Sequence, residues 1–166
     1  MEGHPSDPSI RAPHSPIRTD YTFELIKLIF DSYGAAHTCD EISRDIDPTE
    51  ASLDVRYSYL AYFDDDTTAL PLHILDYGCG SGASTVALAR LFPQAGRILG
   101  VDFVERFLDI ARARSRHHGL DNLEFAATGE SGRSGVVGGE FDLVFLNAVY
   151  EHLLPEERLP VLANAW

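Results

Sequence analysis

The residues most able to do chemistry sit in one nine-residue run, Ile74-Leu75-Asp76-Tyr77-Gly78-Cys79-Gly80-Ser81-Gly82. An apolar stretch ends in three alternate glycines. Glycine permits backbone angles and a closeness of approach that a side chain would block. A helix is expected to start at about Ser84, with its first amides turned toward whatever binds beside the loop. Asp76 puts a negative charge just before the glycines. That charge would repel a pyrophosphate and attract a ligand carrying an ammonium and a sulfonium. Asp102 stands twenty residues beyond Gly82, the spacing expected of an acid at the second strand of this fold class. It is equally placed to cap the helix starting near Val104. Glu151 and His152 form the only acid-base pair expected near this site. Histidine as a residue type titrates near neutrality and can take a proton from a hydroxyl; alternatively, His152 packs at or caps the start of the last helix.

These residues need a scaffold, and the hydrophobic rhythm supplies one. Strands are expected at His73–Tyr77, Arg97–Asp102, Leu123–Ala127 and Phe141–Asn147. Helices are expected at Ser84–Phe92, Val104–His118 and from about Pro155. Strands and helices alternating at this spacing predict an α/β fold. It is a Rossmann-like open, mostly parallel sheet with helices on both faces and right-handed crossovers. Between the third and fourth strands lies a loop with five glycines from Gly129 to Gly139.

Ahead of this unit, residues 1–18 are rich in Pro, Ser and His and read as a disordered tail. Residues 19–70 read as an N-terminal helical segment. In it, Leu25, Ile29 and Tyr33 share one face of a helix from Thr19 to Tyr33, which Gly34 stops. That helix is either a lid over the site or part of the core. A second helix is expected over Thr49–Phe63. Asp64, Asp65 and Asp66 follow it and read as a solvated loop, since nothing near them supplies the other ligands of a cation. Residues 71–166 make up the partial site-bearing domain.

Composition narrows the partners. Twenty-six acidic residues against thirteen basic ones give a net charge of -13, which argues against an anionic duplex or membrane surface. The one basic cluster, Arg112, Arg114, Arg116, His117 and His118, reads as a solvated helix face. Two cysteines, Cys39 and Cys79, make no disulfide framework, and the cytoplasm is the expected compartment. No run approaches the roughly 18 apolar residues of a membrane span.

Asp76-Tyr-Gly-Cys-Gly-Ser-Gly82 resembles the first motif of class I S-adenosylmethionine (SAM)-dependent methyltransferases. Gly100-Val-Asp102-Phe103 is similar to the family's second-strand acid motif. Phe141 to Asn147, followed by Ala148-Val-Tyr-Glu151-His152-Leu153, is similar to the fourth strand and Glu-His segment of its small-molecule members. The three matches occur in order across residues 73–153.

The resemblance implies SAM as cofactor, S-adenosylhomocysteine as product and a small-molecule methyl acceptor, with a hydroxyl first in line. It implies cofactor contacts from Asp76, Gly78, Cys79, Gly80, Gly82, Asp102, Phe103, Glu130 and Asn147, with catalysis by His152 and Glu151. Glu130 stands where the family often has the acid of a Gly-Asp pair. Ubiquinone-type O-methyltransferases carry a further glutamate where this chain has Ala148, which argues against a metal-assisted mechanism. Two alternatives remain: a non-catalytic SAM-binding scaffold, and a NAD(P)- or FAD-binding oxidoreductase, since Gly78-Cys-Gly80-Ser-Gly82-Ala83 also fits a loose dinucleotide fingerprint. The family sheet has seven strands and four are visible here, so the natural protein is expected to be longer.

Overall fold

The computed structural model describes residues 23–34, 60, 62–128 and 140–165. The expected tail, the second helix apart from Leu60, Tyr62 and Phe63, the glycine-rich loop and Glu130 lie outside the described residues. Among those described, the chain runs α1 (Phe23–Tyr33), a short α2 (Asp65–Thr68), β1 (His73–Tyr77), α3 (Ala83–Leu91), β2 (Arg97–Asp102), α4 (Glu105–His118), β3 (Leu123–Ala127), β4 (Leu143–Phe145), a 3-10 turn (Tyr150–His152) and α5 (Pro155–Ala165). The four strands form one parallel sheet in the order β3-β2-β1-β4. The order reverses beside β1, and ligands of open parallel sheets bind at such a reversal, beyond the carboxyl ends of the strands.

Successive side chains of a strand point to opposite faces, so a sheet covered on both sides needs continuous apolar strands. β1 meets this need: Ile74 joins Leu88 and Phe92 of the α3 side and Ile98, while Leu75 and Tyr77 join Leu99, Val101 and Val161 on the α5 side. α3 starts at Gly82, which takes a left-handed φ of 82°. α4 ends on Gly119 at φ 65°, the left-handed cap a glycine takes without strain.

Three expectations are corrected. β4 spans Leu143–Phe145, shorter than Phe141–Asn147. At its start Asp142 bridges His73 with its own amide (2.8 Å) and its carboxylate (2.7 Å). Beyond its end the chain turns at Ala148, whose φ of 54° no strand tolerates. Asp64, Asp65 and Asp66 are not a plain loop: the Asp64 carboxylate accepts from the Thr67 amide and caps α2. That bond holds the Asp64 carboxyl below its ordinary range. Nor is the basic cluster of α4 a solvated face. Arg114 is fully buried and His117 nearly so; α4 packs on α1 through Ile110 and also touches α3, β2 and β3.

Candidate cofactor site

A cavity of about 500 Å³ opens at the carboxyl ends of the strands. Each strand delivers part of its wall. Tyr77, Gly78 and Gly80 come from the end of β1, Asp102, Phe103 and Val104 from β2, Thr128 from β3, and Ala148, Val149, His152 and Leu153 from the segment after β4. Phe107 of α4 and Glu157 and Val161 of α5 complete it.

The glycine loop is shaped by backbone bonds. The amides of Gly78 and Cys79 both donate to the Val101 carbonyl, at 2.7 and 2.9 Å, which folds the loop over the end of β2. Gly78 (φ 76°) lies under Val149, and a Cβ there would stand 2.3 Å from Val149 Cγ2. Gly80 (φ 53°) has open space where its Cβ would be. Gly82 is tight for another reason: its Cβ would stand 2.7 Å from Ala111 Cβ, so this glycine lets α3 and α4 approach.

Two carboxylates hold the loop. Asp102 Oδ2 accepts from the Gly80 amide at 2.9 Å, and its Oδ1 accepts from the Val104 amide at 2.9 Å. The side chain therefore ties the loop to the turn that starts α4, while lining the cavity. Asp76 lies behind the loop. It is 1% exposed, and its Oδ2 accepts from the hydroxyls of Ser84 and Thr85, each at 2.7 Å. Its Oδ1 has no partner among the described residues. Burial pushes the Asp76 carboxyl up; the two hydroxyls oppose the shift and the Asp102 charge adds to it. The Cys79 thiol is pushed well above its ordinary range by burial and then by the charges of Asp76 and Asp102, so it stays protonated. Burial also raises the Tyr77 phenol.

Of the residues singled out in the sequence, the structure gathers Gly78, Gly80, Asp102, Phe103 and His152 at the cavity. It does not bring Asp76, Cys79, Gly82, Asn147 or Glu151 to the wall. Asp76 is turned to α3, the Cys79 sulfur packs toward Gly100, Gly82 is pressed on α4, and Glu151 is exposed. The first turn of α3 is buried rather than open to the cavity. Glu130 lies outside the described residues. Sequence reasoning missed Tyr77, Val104, Phe107, Thr128, Ala148, Val149, Leu153, Glu157 and Val161 as wall residues. Most are ordinary apolar residues with no signal of their own; the left-handed Ala148 is legible only in the backbone.

The residues present fit the expected cofactor. The space above Gly80 is one a side chain would fill, and the Asp102 oxygens retain lone pairs beyond the two amides.

The model of the family described as methyltransferase domain matches residues 74–166. The chain belongs to the class I SAM-dependent methyltransferases. Membership decides against the dinucleotide oxidoreductase alternative. SAM is the cofactor of this family. The chain is 39% identical over 93 residues to a trans-aconitate 2-methyltransferase of Deinococcus radiodurans, covering 56% of this chain and 32% of that protein. It is 40% identical over 74 residues to a ribosomal protein L11 methyltransferase of Dechloromonas aromatica, covering 45% and 22%. The chain thus spans a third or less of the length of these curated relatives. Two solved structures share the fold. An O-methyltransferase family protein from Burkholderia thailandensis superposes with a TM-score of 0.59 at 19% identity, over 81% of this chain and 39% of that one. A SAM-dependent methyltransferase from Aquifex aeolicus gives 0.56 at 21%, over 76% and 65%.

Proposed function

We propose that this methyltransferase-family chain binds SAM in the 500 Å³ cavity and transfers its methyl group to a small-molecule acceptor, a hydroxyl being the first choice. The observation that carries the reading is the placement of Asp102. It stands at the cavity wall with one oxygen on the glycine loop and the other on the turn into α4. A carboxylate held in this way has its remaining lone pairs fixed in direction, as recognition of two ribose hydroxyls requires. Gly78 and Gly80 would lie along the methionine part, and the exposed ring of Phe103 would cover the adenosine. When bound, SAM supplies a methyl group on a positively charged sulfur.

The chain's own part is mainly placement. Holding two reactants in line is worth roughly 7–11 kcal/mol of a barrier. The apolar walls of Val149, Leu153 and Val161 exclude water from the acceptor side. His152 lies on that side and can take the proton of an acceptor hydroxyl; Glu151, outside the wall, would act only through it. Relatives named for trans-aconitate, demethylmenaquinone and the malonyl group of an acyl-carrier protein support a small acceptor. Those named for ribosomal protein L11 make a protein side chain the competing one. We place the protein in the cytoplasm. No helix among the described residues is long and apolar enough to cross a membrane.

Titration calorimetry with SAM and with NAD tests the cofactor: SAM should bind, and heat from NAD alone would end the reading. For the base, His152→Ala should lower turnover about 10²- to 10⁴-fold and leave SAM affinity within a few-fold. A variant that melts early with its specific activity intact would make His152 structural.

A further inference from the structure

The N-terminal helix α1 enters none of the steps above, yet one end of it reaches the cavity wall through Phe107. Leu25 and Ile29 of α1 are buried against Ile110 of α4, which docks the helix along its length. At its C-terminal end the contacts change in kind. Gly34 (φ 73°) closes the helix with its amide on the Phe30 carbonyl at 2.8 Å. Arg106 Nη2 donates to the Ser32 carbonyl at 3.0 Å, meeting one of the carbonyls a helix end leaves open. The Tyr33 ring lies flat on Phe107, with centroids 4.9 Å apart and planes 7° apart. Phe107 lines the cavity. Its amide closes the first turn of α4 on the Val104 carbonyl at 2.9 Å, and the Val104 amide is held by Asp102. The turn that carries the Phe107 wall is thus fixed at one edge by Asp102 and at the other by the end of α1.

We infer that Tyr33 is a positioning residue for the cofactor cavity: by stacking on Phe107 it sets the wall that faces the bound adenosine part, so α1 belongs to the binding site although none of its described side chains lines the cavity. The inference rests on the SAM reading of the cavity. A parallel ring restrains Phe107 in both tilt and depth, which an aliphatic neighbour of similar size does not.

The test uses the intact chain, with SAM affinity read by titration calorimetry and stability by urea midpoint. Tyr33→Phe keeps the stack and should bind SAM within about 2-fold of the unmodified protein. Tyr33→Leu keeps apolar bulk without the plane and should bind about 2- to 10-fold more weakly. Leu25→Ala loosens α1 two turns away; it should lower the midpoint and leave affinity, measured where the variant is folded, within about 2-fold. If Tyr33→Leu binds as the unmodified protein does, or Leu25→Ala weakens SAM as much as Tyr33→Leu, the stack is packing alone and the inference falls. If the unmodified chain gives no heat with SAM, the functional reading falls first, and that outcome is separate from the other two.

Discussion

Asp76 and Asp102 end neighbouring strands of one sheet, carry the same side chain and serve the same loop, but their surroundings differ in kind. Asp76 has no solvent and two hydroxyl donors from α3. Asp102 has two backbone amides and a face on the cavity. The hydroxyls of Ser84 and Thr85 tie the end of β1 to the start of α3, so Asp76 sets the loop from behind. The amides of Gly80 and Val104 tie the loop to α4, so Asp102 sets it from the cavity side. The difference teaches that a charge beside a glycine loop need not face the ligand. An acid buried against hydroxyls supports the loop, and one set among amides at a cavity can also bind.

The largest effect expected from breaking this pair is on folding. Asp76→Ala strands two buried hydroxyls and should cost about 2–4 kcal/mol, read as a fall in urea midpoint. Loss of SAM affinity with unchanged stability would reverse the assignment and put Asp76 at the ligand. Asp102→Ala frees the Gly80 and Val104 amides, and its main effect should fall on the ligand. Losing hydrogen bonds to a charged group costs about 1.5–3 kcal/mol, or roughly 10- to 150-fold in SAM affinity. Unchanged affinity in a folded Asp102→Ala protein would mean that the ribose is held elsewhere.

The smallest effect is one of pH. Burial raises the Asp76 carboxyl, so the folded state binds its proton more tightly than the unfolded chain. The contribution of Asp76 to stability is then fully present below the ordinary carboxyl range and is lost as pH rises through the raised value. Asp76→Asn has no such loss. Its stability relative to the unmodified protein should therefore grow from acid toward neutral pH, and a flat difference across that range would show that burial does not perturb Asp76. Taking the difference cancels the other acidic residues of a chain with net charge -13.

Much of the fold was legible beforehand, for a local reason. β1, β2 and β3 fall where alternating or continuous apolar residues place them, and α3 and α4 begin within a residue of expectation, because periodicity and glycine stops act over a few positions. β4 is shorter than its apolar run because its ends are set by Asp142 reaching across to His73 and by the left-handed Ala148. The burial of Arg114 was invisible for a similar reason. A charged residue reads as solvated until other elements pack on its helix, and α4 packs on α1, some eighty positions earlier in the chain.

By itself the sequence determined the strand-loop-helix unit, the glycines at positions of positive φ, and an acid at the end of the second strand. These are properties of short segments, set by backbone sterics and side-chain period. Only the tertiary structure decided which acid faces the cavity and which lies behind it, that Gly82 lets two helices approach, and that Phe107, Val149, Leu153 and Val161 line one cavity. Each of these depends on which elements pack together, and an apolar residue carries no mark of the neighbour it will meet until the sheet has brought distant segments to the same end.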